Sequence, residues 1–221
     1  MIWNISSFLS DPLSTLQQLM YMIPVILISL TLHEWGHAYA AYRCGDPTAR
    51  NLGRMTLNPI AHIDPLGFLS LLLLGFGWAK PVPVNSRNFR NYKVGEAIVS
   101  LAGVTMNFLL VVLTAIVMIV LGRVYPSAYA NDALLSILLY FLSLNITLMV
   151  FNLIPIYPLD GYHVFELLFA RVIPTRVFLF LRRYGNFLLI GLLILFNTMN
   201  FSPIGVVRTW VLQIILYFIG I

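Results

Sequence analysis

Charge is what this sequence has least of. Asp, Glu, Lys and Arg make up 10% of its 221 residues, against 60% apolar side chains; a soluble domain carries about a quarter charged residues. That composition excludes an ordinary soluble globule and points to an integral membrane protein in a lipid bilayer. Cysteine is equally scarce. Cys44 stands alone, which excludes an intramolecular disulfide and a cysteine metal cluster and leaves a small packing residue. The first fifteen residues lack Lys and Arg. A secretory signal opens on a basic stretch, so a cleaved signal is not expected. There is no internal repeat and no low-complexity linker, and the length fits one compact helical bundle, a single domain over 1–221.

Long apolar runs cover about 16–42, 97–121 and 134–154, and shorter ones about 185–199 and 203–221. Each is long enough to cross a bilayer, the last two only just. A further apolar stretch within about 62–79, "PLGFLSLLLLGFGWAKP", is short and flanked by Gly and Pro; it is either a sixth span or a re-entrant element. Basic residues bear on the choice. Arg43, Arg50 and Arg54 precede it, Lys80, Arg87, Arg90 and Lys93 follow it, and Arg171, Arg176, Arg182 and Arg183 fall in the loop after the third long run. Positive charge favours the cytoplasmic side, and a re-entrant element puts all three clusters there. Topology thus accounts for the net charge of +5 without nucleic acid. The expectation is an all-α polytopic membrane protein of five to six transmembrane helices, N-terminus out and C-terminus in. "DPTARNLGRMTLNP" and "AKPVPVNSRNF" read as extended rather than helical, adding a small membrane-associated β-hairpin or sheet.

The chemistry starts in "ISLTLHEWGHAYAAYRCG". His33-Glu34-Trp35-Gly36-His37 is H-E-x-x-H. On a helix, positions i and i+4 share a face, so both imidazoles reach one zinc ion. Glu34 is then adjacent to the metal, placed to take a proton from water and pass it to a leaving amine. Ionisable residues in a spanning segment are costly unless they are functional.

A catalytic zinc takes a third protein ligand and keeps one open position. The candidates are Asp160, Glu166, Glu96, Asp64, His62 and His163. Asp160 stands out in "NLIPIYPLDGYHVF", where Pro155 and Pro158 break the helix and Gly161 permits a sharp turn. By the topology above, His37 and Asp160 lie at similar depth in the cytoplasmic half.

These residues resemble the site-2 protease family of intramembrane zinc metalloproteases. The resemblance pairs His33 to His37 with N-x-x-P-x-x-P-L-D-G at Asn152 to Gly161, and "NPIAHIDPLG", "GWAKPVPVN" and "LAGVTMN" follow the family order, from about Thr31 to Phe165. One departure is Val104, where the pattern usually has proline at a helix start. The resemblance implies a minimal member without PDZ or CBS domains that cuts transmembrane segments of membrane-protein substrates. It implies His33, His37 and Asp160 as zinc ligands and Glu34 as the catalytic glutamate. Asn152 matches an asparagine that holds the substrate or the oxyanion.

Asn152 has a physical case of its own, since an amide N–H can stabilise the oxyanion of peptide hydrolysis; it could equally satisfy carbonyls freed by Pro155. Asn107 reads as a helix–helix hydrogen bond. His62 and Asp64 could orient the ligands, line a water path or cap a helix, and His163 and Glu166 face the cytoplasmic interface. "NLGRMTLN" and "KPVPVN" are candidate edges onto which an unwound substrate could add as a strand. Two other functions compete: a membrane zincin that cuts loops or soluble peptides with Glu166 as third ligand, and a non-enzymatic metal-binding protein, transporter or scaffold. Charges clustered at one depth argue against transport, and Glu34 against a scaffold. The expected membrane is the cell membrane, with the site near its cytoplasmic face; substrate and oligomeric state are not encoded legibly.

Overall fold

The structure, a computed structural model, describes residues 10–74, 77–199 and 202–219. Its helices are α1 Pro12–Cys44, the single turn α2 Thr48–Asn51, α3 Pro65–Leu74, α4 Tyr92–Val124, α5 Asp132–Asn152, α6 Asp160–Phe169, α7 Thr175–Thr198 and α8 Pro203–Ile219, with short 3₁₀ turns between them. The three long helices of the core each begin on an Asx residue whose side chain accepts a backbone N–H: Asp11 from Ser14, Asn91 from Val94 and Asn131 from Leu134. At its other end α1 stops on Gly45, held left-handed at φ 113°, a conformation that favours glycine.

Four helices are long and apolar enough to cross a bilayer: α1, α4, α5 and the Thr175–Phe196 part of α7. Their outward residues include Met20, Leu113, Val120, Phe187 and Ile194, all exposed. Apolar surface on this scale needs lipid against it, and the chain is an integral membrane protein. α1 and α4, at 33 residues each, run about 50 Å and outreach the hydrocarbon core of about 30 Å. At 17 residues, α8 is apolar but shorter. The last apolar run thus extends to Ile219, with 220–221 outside the described residues.

α1, α4 and α5 pack together as the core. Met118, Val111, Leu138, Leu142 and Ile146 bury between α4 and α5, covered on one side by Val211, Leu212 and Ile215 of α8. Small residues let α1 and α4 approach closely. A Cβ on Gly36 of α1 would meet the Ala102 carbonyl oxygen at 3.1 Å. A buried Asn145 donates to Ser29 Oγ at 3.0 Å and ties α5 to α1.

Two expectations are corrected. Arg176, Arg182 and Arg183, read from the sequence as loop, lie on α7, whose run begins at Thr175 rather than near 185. Arg182 spends its charge on Glu166 at 2.6 Å. Among the described residues no hairpin or sheet forms; there is one antiparallel bridge, Ile63 to Ala79. Pro81 and Pro83 lack the N–H that a ladder needs, and Arg54 occupies the carbonyls of Lys80 and Pro81 at 2.7 and 3.3 Å.

The excursion between 63 and 79 contains α3, ten residues or about 15 Å long, half the bilayer core. Its two ends lie side by side: beyond the bridge, Lys80 N–H donates to the His62 carbonyl at 2.8 Å. A Cβ on Gly67 would meet the Trp78 carbonyl oxygen at 2.2 Å, so the glycine is what lets the returning chain touch α3.

Candidate metal centre

α1 carries both histidines one turn apart, and their rings stand 4.7 Å apart at 77°. The two Nε2 atoms are separated by 3.1 Å. Asp160, the first residue of α6, brings its Oδ2 to 3.5 Å from His33 Nε2 and 3.4 Å from His37 Nε2. Two donors on one tetrahedral zinc, each about 2.0–2.2 Å from it, stand roughly 3.3–3.5 Å apart. Two edges of the triangle have that size, and the third, between the two Nε2 atoms, is 3.1 Å. Among the described residues this is the one group of three His, Cys, Asp or Glu side chains close enough to share an ion.

Two further observations bear on the fit. Asp160 Oδ2 is buried and accepts no hydrogen bond, an arrangement that is costly unless a cation answers it. The opposite ring nitrogens are also committed in the way metal-binding imidazoles require. His37 Nδ1–H donates to the Val99 carbonyl at 2.8 Å, which leaves the Nε2 lone pair free. His33 Nδ1 lies 3.2 Å from the Asn107 side-chain amide. Amide O and N are interchangeable by a flip, and with Oδ1 toward His33 the amide accepts from Nδ1–H. That orientation also gives a partner to Oδ1, which otherwise has none. A nitrogen, nitrogen, carboxylate set of this size suits zinc.

α4 supplies this support from one face. Val99, Gly103 and Asn107 are spaced by four, and α4 runs antiparallel to α1, so Val99 meets His37 and Asn107 meets His33. Between them a Cβ on Gly103 would fall 2.4 Å from His33 Cε1 and 2.5 Å from its Nε2. Any side chain there would press on the two Nε2 atoms.

Glu34 is buried, and its Oε2 accepts the Val82 backbone N–H at 2.8 Å. Asp160 owes its position to the broken stretch after α5. A Cβ on Gly161 would lie 2.3 Å from the Leu153 carbonyl oxygen, so the chain folds back onto the end of α5 and presents Asp160 inward.

The other sequence candidates are elsewhere. Asn152 ends α5 with its amide donating to the Leu148 carbonyl at 3.0 Å. Asp64 caps α3, accepting Gly67 N–H at 2.8 Å, and His62 pairs with the Thr56 carbonyl at 2.8 Å. His163 meets Glu96 at 3.0 Å, and Glu166 is taken by Arg182, so the alternative third ligand is paired off. The sequence reading missed Val99, Gly103 and Val82, which act through backbone or through a missing side chain. "LAGVTMN" was the available signal for Gly103.

Comparison with known proteins gives the chain a family. The model of Peptidase family M50 matches residues 66–196, the part that carries Asp160. "Putative zinc metalloprotease YwhC" of Bacillus subtilis is 37% identical over 208 residues, 92% of this chain and 89% of its own. "Putative zinc metalloprotease Rip2" of Mycolicibacterium smegmatis is 33% identical over 160 residues, 70% of this chain and 60% of its own. Rip2 of Mycobacterium tuberculosis is 34% identical over 146 residues, 63% and 54%. No solved structure matches the chain. The chain belongs to Peptidase family M50, the site-2 protease family, and is a zinc metalloprotease.

Proposed function

We propose that the protein is an intramembrane endopeptidase that hydrolyses peptide bonds in or near transmembrane segments of membrane-protein substrates. His33, His37 and Asp160 hold its zinc and Glu34 moves its protons. The observation that carries this reading is the placement of two corners of the donor triangle, His33 and His37, on α1, inside an apolar helix long enough to span, with Asp160 brought against them from α6.

Zinc at these donors supplies Lewis acidity to the scissile carbonyl. The chain's own residues do the rest. With Oε2 on Val82 N–H, Glu34 presents Oε1 to the attacking water and takes its proton as oxygen bonds to the carbonyl carbon. When the C–N bond breaks, Glu34 returns that proton to the leaving nitrogen. Val99 and Asn107 keep each imidazole in the tautomer whose Nε2 faces the metal. Asn152 gives one amide N–H to the Leu148 carbonyl and keeps a second, which it donates to the developing oxyanion.

On the same reading α8 is a fifth, short span, and the 63–79 excursion enters and leaves on one side, supported by its paired ends. The clustered Arg and Lys residues support a cytoplasmic position in the cell membrane for that side and for the metal. The test is reconstitution with single-span substrates, comparing wild type with Glu34→Gln. Loss of cleavage with zinc retained is expected; equal cleavage by both proteins overturns the reading.

A further inference from the structure

The stretch from Lys80 to Asn85 runs across the active-site glutamate and is tied at both ends. At one end Arg54 holds the Lys80 carbonyl and Lys80 N–H holds His62. At the other, Asn85 N–H donates to Asp46 Oδ2 at 2.7 Å. Asp46 is fully buried, and its Oδ1 accepts from Asn88 Nδ2 at 2.7 Å and from Thr48 N–H at 3.1 Å. It follows directly on Gly45, where α1 ends, and Arg90 N–H donates to the Cys44 carbonyl at 3.0 Å along the same seam. The far end of the stretch is thereby sewn to the C-terminus of the helix that carries Glu34.

The middle of the stretch is Pro81-Val82-Pro83-Val84. Each proline fixes its own φ and confines the residue before it to extended conformations, so the stretch is stiff as well as anchored. The prolines also strip it of donors. Val82 and Val84 keep the N–H groups there, and Val82 gives its own to Glu34 Oε2. Such a stretch offers a substrate strand little to pair with. What it does offer is one fixed donor against one carboxylate oxygen, which orients a group whose terminal torsion is otherwise broad.

We infer that the Val82 backbone N–H, held in place by Asp46, is a positioning group for Glu34: it fixes Oε2 so that Oε1 faces the scissile bond. The inference rests on the reading of Glu34 as the proton carrier. The Val82 N–H bonds to Glu34, and the Asp46 carboxylate to Thr48, Asn85 and Asn88, rather than to His33, His37 or Asp160, so the inference separates orientation of the base from assembly of the site.

The experiment uses the full chain with a single-span substrate, reading kcat, KM and bound zinc for wild type, Glu34→Gln, Val82→Ala, Val82→Pro, Val84→Pro and Asp46→Asn. Val82→Ala keeps the N–H and should hold kcat within about threefold of wild type. Val82→Pro removes the N–H and should lower kcat about 10–100-fold, the usual effect of losing a supporting hydrogen bond in a metal site, with KM and zinc unchanged. Asp46→Asn turns a donor toward the Asn85 N–H and should lower kcat in the same way by about tenfold. Val84→Pro stiffens the stretch equally but spares the donor, so kcat should hold; a raised KM there with kcat intact in Val82→Pro would make the stretch a substrate template and overturn the proposal. A Val82→Pro enzyme faster than wild type would make it an inhibitory strap and overturn it too. Should Val82→Pro not fold, an unchanged kcat in Asp46→Asn overturns it. Full activity in Glu34→Gln would instead remove the reading beneath it.

Discussion

A Cβ on Gly103 would lie 2.4 Å from His37 Nε2. α4 thus passes the histidine pair at a distance only a glycine allows, and the α1–α4 contact and the proposed metal site are one construction. Gly103→Ala should abolish stoichiometric zinc and with it cleavage, whereas Gly191→Ala, where nothing lies within 4 Å of the new methyl, should leave both intact. Metal content of the purified proteins decides it; a zinc-loaded Gly103→Ala enzyme would show that the helices can part at little cost.

Asn107 is fully buried and its amide is the neighbour of His33 Nδ1. Asn107→Ala should weaken zinc binding about 10–100-fold, measured by competition with a chelator. Asn107→Asp keeps an acceptor for Nδ1–H and should lose less. Equal affinities in wild type and Asn107→Ala would reduce Asn107 to a packing group.

Asp46 makes the fold sensitive to acid. Burial raises its pKa, but the donors from Thr48, Asn85 and Asn88 outweigh that and hold it below the ordinary carboxylate value. A carboxylate with a lowered folded pKa stabilises the fold above its unfolded pKa, near 4, and that contribution fades as pH falls through the folded value. Wild type in detergent should therefore lose melting temperature below about pH 4. Asp46→Ala should melt lower already at pH 7, by on the order of 1–3 kcal/mol for donors left buried without an acceptor. It should also respond less to acid. Parallel melting curves of the two proteins across pH 3–7 would refute this.

The paired ends of the 63–79 excursion set a topology test. In a Cys44→Ser background, single cysteines at Leu57 and Val84, both exposed, should react with a membrane-impermeant thiol reagent from the same side. Labelling from opposite sides would make the excursion a full crossing.

Legibility in the sequence followed the range of each interaction. His33 and His37 were readable because a helix alone aligns i with i+4. Asp160 was readable because Pro155, Pro158 and Gly161 advertise an irregular backbone, and the structure does bring it to the histidines. Asn107 was expected to bond between helices and does, but its partner is His33. The contact of Glu34 with Val82 left no trace, since a backbone N–H belongs to every residue but proline and only tertiary approach selects one. The expected sheet failed for the reverse reason: alternation in "KPVPVN" looked like a strand while its prolines removed the ladder. Arg182 and Arg183 were read as loop because the apolar run begins only near 185, yet they ride on α7, where Arg182 pairs with Glu166 and Arg183 lies over the Tyr184 ring.

The order of the proposed ligands along the chain has a consequence for biosynthesis. α1 brings two of them into the membrane early, but the third follows only after α4 and α5, whose packing shapes the place it must reach. A nascent chain that stops short of α6 holds His33, His37 and Glu34 without the Asp160 carboxylate that would join them. Such a chain is unarmed for as long as its own helices are still being threaded past its neighbours in the bilayer.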